Sequence, residues 1–464
     1  MCDRKRKDGI LPGVKTGIKQ GGVVFFAPPY VRLGRSQTPS GEGIVPILPL
    51  GMASLFSYFS SKSDLSCSYY HALDHSVSAI RRYIQAAAPG IVGISCLSFN
   101  RTAALAVAQI AKRAAPSCRV ILGGIHATFL DEQILRHYPC VDYIVRGEGE
   151  VSFYELVEAL RRGAGPGSVA GVSFRKGKEV QRTASRPRLS CLDELPLIDY
   201  SLVLDSSIRK VYARHGASRI SLPVETSRGC PYRCVFCSTV GMWGQRVAFR
   251  SVPRVLEQIQ LLPDGCQKMY LHDTNLTFDR KYLRGLLAGM KEKKIRIPWV
   301  AMARVDQVDE PLLREMKEAG CQDIGFGVES FSGRILRGIG KTYDPELAVH
   351  HVNLTMKAGM HATVFLVLGL PGETRETLEE TRRHVSRLAA QVTLSPVVCK
   401  ILPGAPLYDR AIKEGFDESY WLREHGSEDS LPVYEGALSG PVLYKWRNLF
   451  QRLDKVAHRT GHRV

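Results

Sequence analysis

From Gly22 to about Leu160, and again from about Arg219 to Val398, short apolar and β-branched runs alternate with amphipathic stretches. Such runs are too short for helices, and when each is followed by a helical pattern the sequence reads as repeated βα units. Parallel strands joined by crossover helices bury both faces of their sheet, so the chain is α/β throughout, with two successive parallel-sheet units. The first is predicted to be a doubly wound sheet with strands at Val23–Ala27, Leu65–Tyr70, Ile91–Ser95, Val120–Gly123 and Tyr143–Val145. Its helices are predicted at Met52–Phe59, Val77–Ala87, Thr102–Ala114, Glu132–Arg136 and Val151–Arg161. The second has six candidate strands, Ile220–Thr226, Met269–His272, Trp299–Ala303, Asp323–Val328, Ala362–Val367 and Val392–Val398.

The domain reading follows. Residues 1–21 form a basic, flexible N-terminus and 22–185 the first sheet domain, with a small hairpin near Val169–Val180. Residues 186–218, opening on the proline-bearing stretch Arg186–Tyr200, read as a linker. The second unit spans 219–405, and 406–464 is a C-terminal extension of weaker pattern. No run of eighteen apolar residues occurs, and the basic start lacks the apolar stretch of a secretory signal. The 12 cysteines are scattered through apolar segments, which suits reduced thiols in the cytoplasm rather than a disulfide framework. A net charge of +18 could gather phosphates. Lys and Arg are nevertheless spread along the chain and no aromatic-interleaved RNA signature accompanies them, so a small anionic substrate or a solvated surface is expected rather than nucleic acid.

One segment carries chemistry on its face. Arg228-Gly-Cys-Pro-Tyr-Arg-Cys-Val-Phe-Cys237 places Cys230, Cys234 and Cys237 in the spacing C-x-x-x-C-x-x-C, which chance would produce about 0.01 times in a chain of this length and cysteine content. A four-iron cluster takes four thiolates, so a compact set of three leaves one iron open to another ligand. The competing reading is a structural zinc knuckle, which needs a fourth Cys or His nearby; Cys266 and His272 are the next candidates and do not form a paired knuckle.

This spacing, with an aromatic residue just before the third cysteine as Phe236 stands here, resembles the radical S-adenosylmethionine enzymes. The resemblance implies a partial (β/α)6 barrel, a 4Fe-4S cluster on Cys230, Cys234 and Cys237, and S-adenosylmethionine chelated to the open iron with Phe236 beside its adenine. One electron, from a donor such as flavodoxin or ferredoxin, would cleave the cofactor to a 5′-deoxyadenosyl radical. Active residues of parallel βα architectures gather at the C-terminal strand ends. Asp273, in His272-Asp-Thr-Asn-Leu-Thr-Phe278, would accept from the cofactor's amino group, unless it is a turn or capping Asp. Arg304, in Ala303-Arg-Val-Asp306, suits its carboxylate, and Glu329, in Gly325-Phe-Gly-Val-Glu-Ser330, its ribose or amino group. Gly369-Leu-Pro-Gly-Glu-Thr374 reads as a turn into a helix, with a shaping role.

The first domain resembles the Rossmann-like cobalamin-binding domain that precedes the barrel in one large subgroup. The segments that carry the likeness are Phe26–Tyr30, Leu48–Met52, Ser95–Ser98, Gly123–Thr128 and Arg146–Glu150. Ser95 and Ser98 would line the nucleotide-tail pocket, with Gly123, Gly124 and His126 at the buried end. The D-x-H-x-x-G signature of an axial histidine is absent there, so cobalamin would bind without one; His126 is either a contact or an ordinary hydrogen-bonding histidine.

The resemblance implies cobalamin-dependent methyl transfer to an unactivated carbon of a small molecule. The alternatives are a radical cyclase or rearrangement enzyme of the same subgroup, RNA methylthiolation, and a cofactor carrier without catalysis. RNA methylthiolation fits poorly, for no extra cluster-binding cysteine set precedes the barrel and no alternating-strand module follows it.

Overall fold

The computed structural model describes residues 21–29, 48–72, 76–204, 220–423 and 431–461, side chains of 220 and 455–461 excepted. The basic N-terminus, Tyr30 and the end of the expected linker lie outside these.

The first domain is a seven-stranded sheet of β1 (Val23–Ala27), β2 (Cys67–His71), β3 (Ile91–Ser95), β4 (Arg119–Gly123), β5 (Tyr143–Val145), β6 (Val172–Lys176) and β7 (Glu179–Arg182), in the order β2-β1-β3-β4-β5-β6-β7. The first five are parallel, and β6 and β7 add an antiparallel hairpin. All five residues of β1 are buried, as a strand covered on both faces must be. Phe25 packs on Phe56, Phe59 and Phe153 from one face, while Phe26 packs on Tyr70 and Tyr83 from the other. The chain runs outward from β1 to β2 and then returns to β3 on the other side. The strand order thus reverses between β1 and β3, and such a switch point opens a crevice at the C-terminal strand ends. Ser95 ends β3 there.

The second unit is a parallel six-stranded sheet of β8 (Ile220–Glu225), β11 (Cys266–His272), β12 (Trp299–Ala303), β13 (Cys321–Glu329), β14 (His361–Leu368) and β15 (Thr393–Val398). Its edge strands β8 and β15 do not pair among the described residues, which leaves the barrel open. A short ribbon of β9 (Ser227–Arg228) and β10 (Ala248–Phe249) stands on β8. Alternation along each strand separates outside from inside. Met269, Leu271, Ala301, Ile324, Val364 and Leu394 are buried under the helices, whereas Tyr270, His272, Met302, Phe365 and Val397 keep accessible area on the inner face.

Two regions are more integrated than the sequence suggested. The stretch expected as a linker is packed down: Leu192, Leu195, Ile198, Tyr200 and Val203 are buried. Ile198 exchanges hydrogen bonds with Gln258 at 2.6 and 3.0 Å, and Tyr200 Oη donates to Pro223 O at 2.5 Å. Its prolines announce a connection, but its apolar spacing makes it a strap.

The C-terminal extension likewise joins both units. Its helix at 440–461 packs on β15, where Leu394 N donates to Asp454 Oδ1 at 3.1 Å. Trp421, 1% exposed, lies with its ring 5.3 Å from that of His126 and under the Arg101 guanidinium at 4.9 Å, while Tyr138 Oη donates to Leu422 O at 2.6 Å. Trp421→Ala is expected to cost about 3–5 kcal/mol through the cavity it leaves; a thermal unfolding curve unchanged from wild type would show that the extension is not anchored there.

Candidate active site

The cysteine loop is held at its root by the C-terminal ends of β8 and β11. Asp273, 7% exposed, accepts from Thr226 Oγ1 at 2.9 Å, Ser227 Oγ at 2.6 Å and Asn275 N at 2.8 Å. That takes up three of roughly four acceptor sites on a carboxylate. Asp273 thus ties the ribbon below the loop to the end of β11, a use of the residue that the sequence had left beside a ligand-binding one. Gly229 sits at φ +104°, and a Cβ there would stand 2.2 Å from the Arg246 carbonyl oxygen, so the residue before Cys230 must be glycine.

Cys230, Cys234 and Cys237 are unpaired and half-buried. Cys237 N donates to Cys234 O at 3.1 Å, and Leu407 N donates to Val235 O at 2.7 Å, which pins the loop to the extension. Burial pushes the Cys234 thiol up to about 11, while Lys341 and Arg304 pull against it. Burial also raises Cys230, opposed by the Tyr232 amide and the Thr274 hydroxyl. Thiolate is the ligating form, so a metal's positive charge is what such buried thiols need. Among the described residues no three Cys, His, Asp or Glu side chains stand together as ligands of a single ion. Phe236 is half-buried and packs against the barrel core.

Arg304, 8% exposed, directly follows β12. Its Nε and Nη2 grip Asp306 at 3.0 and 2.8 Å, its backbone N donates to Asn275 Oδ1 at 3.1 Å, and its guanidinium lies 3.9 Å from the centre of the Tyr232 ring. Nη1 is buried without a partner. A buried donor left in this state is costly, and a ligand carboxylate would satisfy it. The expected amino-acid end of S-adenosylmethionine therefore fits this structure. Gln307 extends the network, accepting from Asn275 Nδ2 at 2.7 Å and donating to Tyr232 Oη at 2.5 Å. A cavity of about 380 Å³, lined by Thr277, Phe278, Asp279, Arg280, Asp306 and Gln307, opens alongside.

Glu329 ends β13 at φ +69°, a left-handed conformation that costs a non-glycine residue energy, and it is 8% exposed. Lys341 Nζ donates to Glu329 Oε1 at 3.0 Å. A Cβ on Gly327 would come within 2.7 Å of that same carboxylate oxygen. Tyr343 Oη donates to Val328 O at 3.0 Å, and its ring centre is 5.9 Å from the Arg304 guanidinium. Lys341, Tyr343 and Tyr232 were not singled out in the sequence. They belong to loops without periodicity, and their only sequence signal is nearness to Glu329 and the cysteines. Glu373 is buried and accepts from Gly369 N at 2.5 Å, so it shapes the turn after β14; burial raises its carboxyl to about 7.

In the first domain, Ser95, Gly123 and Gly124 are half-buried at the ends of β3 and β4, and Phe99, four residues after Ser95, is 40% exposed. Gly124 has φ +97°, and a Cβ there would meet the Cys96 carbonyl oxygen at 2.8 Å. Half-buried strand ends without bulky side chains suit the close approach of a large flat cofactor, so cobalamin fits them. Ser98 and His126 differ. Ser98 is 5% and His126 1% exposed, Ser98 Oγ is 3.0 Å from His126 Nδ1, and burial lowers the imidazole pKa to about 3. Enclosed by Ser98 and Trp421, His126 sits in this structure as a neutral, hydrogen-bonded core histidine, the second of the two readings its sequence allowed.

The two units meet at Arg228, two residues before Cys230. Its Nη1 lies 3.1 Å from Glu148, its Nη2 2.7 Å from Glu150 and 3.2 Å from Ser54 Oγ, and its Nε 2.8 Å from Glu225. Glu148 and Glu150 follow β5, and Glu225 ends β8. The C-terminal strand ends of both sheets are thereby brought against each other. His272, at the end of β11, is exposed on the inner face, and desolvation by the surrounding protein lowers its pKa.

Comparison with known proteins agrees with this arrangement. Residues 224–385 match the Radical SAM superfamily and residues 46–157 the B12 binding domain. An uncharacterized methyltransferase of Pyrococcus horikoshii is 35% identical over 78% of this chain and 78% of its own. The cytidylyl-2-hydroxyethylphosphonate methyltransferase of Streptomyces wedmorensis is 27% identical over 71% of this chain and 67% of its own. The fold is shared with the radical S-adenosylmethionine methyltransferase TsrM of Kitasatospora setae, solved with cobalamin and a [4Fe-4S] cluster, at TM-score 0.70 and 16% identity over 85% of this chain and 75% of that one.

Two outcomes are expected at this site. Gly229→Ala should lower the iron bound per chain after reconstitution, because the added methyl group collides with backbone; iron content equal to wild type would mean that the loop tolerates the shift. For Glu373, the unfolded carboxyl titrates near 4.5 and the folded one near 7. The folded state binds more protons between those values, so wild-type stability falls as pH rises from 4.5 to 7, by up to about 3 kcal/mol. Glu373→Gln should lack that slope in melting temperature against pH; parallel profiles would contradict it.

Proposed function

The chain belongs to the radical S-adenosylmethionine methyltransferases that carry a B12-binding domain, and on that premise we propose that it methylates an unactivated carbon of a small molecule held between its two sheets. The observation that carries this reading is the Arg228 contact set, which joins the cofactor-bearing strand ends of one domain to the root of the cysteine loop of the other. When bound, S-adenosylmethionine and the cluster supply a hydrogen-abstracting carbon radical, and cobalamin supplies the methyl group.

The protein's own residues then bind and orient. Cys230, Cys234 and Cys237 are assigned to the cluster. Arg304, held rigid by Asp306 and Tyr232, turns Nη1 to the methionyl carboxylate. Glu329 offers its second carboxylate oxygen to a hydroxyl or amino group, and Phe236 flanks the adenine. Ser95, Gly123 and Gly124 admit the corrin's tail. The inner barrel face, with Met302, Phe365 and Val397 apolar and His272 polar, bounds the substrate space and keeps water from the reacting carbon. An anionic small molecule is in keeping with the +18 charge and with the phosphonate that names the Streptomyces relative's substrate. A one-electron donor protein completes the assignment, and the unpaired cysteines suit a reducing cytoplasm.

The test is anaerobic reconstitution with iron, sulfide and hydroxocobalamin, followed by removal of free cofactor. About one cobalamin per chain is expected by absorption, together with 5′-deoxyadenosine formation that Cys234→Ala abolishes along with the cluster. A cluster-bearing protein that retains no cobalamin would overturn the methyl-transfer reading, and deoxyadenosine formation surviving in the Cys234 variant would overturn the ligand assignment.

A further inference from the structure

Lys341 is 3% exposed. An ammonium group gives up that much hydration only against strong acceptors. It has two, the carbonyl of Gly327 at 2.5 Å and Glu329 Oε1 at 3.0 Å. The backbone fixes where this charge sits. Lys341 N donates to Leu336 O at 2.8 Å, closing the turn after the helix Gly333–Gly338. Gly340, at φ +84°, comes so close to the cysteine loop that a Cβ there would lie 3.6 Å from the Arg233 carbonyl oxygen. The segment carrying Lys341 therefore runs beside the residue that precedes Cys234. The Lys341 ammonium pulls the Cys234 thiol down against the upward push of burial.

Three thiolates in one loop concentrate negative charge where the dielectric is low, and an added electron deepens it. A fixed cation nearby lowers the cost of that electron. We propose that Lys341 is the charge-balancing and positioning residue of the cluster site: it clamps Glu329 by one carboxylate oxygen, leaving the other for the bound cofactor, and its ammonium raises the reduction potential of a cluster held by Cys230, Cys234 and Cys237. This rests on the reading of those cysteines as cluster ligands. The redox step itself is a transfer of one electron from an external one-electron donor, which is oxidised as the cluster is reduced; no proton moves at the lysine, whose charge is the same before and after.

The experiment is an EPR-monitored redox titration of the reconstituted full-length protein without S-adenosylmethionine, with iron and sulfide counted per chain. Lys341→Met is expected to shift the midpoint to a more negative potential, with a tenfold fall in the ratio of reduced to oxidised cluster at a fixed potential, equivalent to about 59 mV for one electron. Lys341→Arg keeps the charge and should stay near wild type. Glu329→Gln removes the opposing charge and should shift the midpoint the other way. A Lys341→Met protein with full iron content and an unmoved midpoint overturns the proposal. Should that variant lose its cluster, Glu329→Gln decides: a positive shift supports the role, and an unchanged or negative one overturns it. Wild-type protein that takes up no cluster would overturn the ligand reading as well, whereas a loaded wild type with unmoved variants overturns this proposal alone.

Discussion

The arrangement of this molecule depends on one buried guanidinium. Arg228 is surrounded by Glu148, Glu150 and Glu225, and a second cation, Arg250, lies 3.5 Å from Glu225. Buried ion pairs of this kind gain little over apolar packing, but removing one partner leaves uncompensated charge and typically costs about 3–5 kcal/mol. The carboxylates receive further support from Ser54 Oγ, 2.7 Å from Glu150, and from Leu189 N, 2.8 Å from Glu148. Residues of the first domain, the strap and the barrel therefore share one electrostatic unit. The placement of Arg228 beside the glycine that leads into the cysteines makes domain docking and loop geometry parts of the same constraint.

The second principle at work is backbone strain at strand ends. Gly229, Gly124 and Glu329 all adopt positive φ where a β-strand turns into a functional loop. Glycine removes the penalty at the first two, and contact with backbone forbids any other residue there. Glu329 bears it, which is sustainable because Lys341 holds its carboxylate and Tyr343 holds the carbonyl of the preceding residue. Strained conformers persist only where their surroundings over-determine them. The close fit of Gly327 under the Glu329 carboxylate belongs to the same over-determination.

What was legible in the sequence follows from which interactions are local. Strands such as Ile91–Ser95 and Tyr143–Val145 lie where their apolar runs placed them, because a doubly covered parallel strand writes its burial into consecutive residues, and Trp299–Ala303 is found through its apolar run with alternating burial. The positions of the cysteine loop, Arg304 and Glu329 at strand ends were readable for a similar reason, since each lies next to its strand in the sequence. The partners that hold those segments in place were not. Arg228 meets Glu150 across 78 positions, and Tyr138 meets Leu422 across 284. No periodicity reports such contacts. The packed strap was missed because prolines dominate its pattern, and the enclosed state of His126 because Trp421, which covers it, lies in a segment of weak pattern.

Asp273 and Arg304 show how motif residues divide their labour once the partners are visible. Both stand at C-terminal strand ends, and both are more than nine-tenths buried. Asp273 accepts three hydrogen bonds from the protein, so its charge is spent on holding the ribbon beneath the cysteine loop. Arg304 has two of its side-chain nitrogens on Asp306 and a third, Nη1, with none. The first pattern leaves about one acceptor site on the carboxylate, and the second leaves a buried donor with no protein partner. Hydrogen-bond accounting at buried polar atoms thus separates a side chain engaged mainly by the protein from one with a donor still free, a distinction that position in a motif does not make.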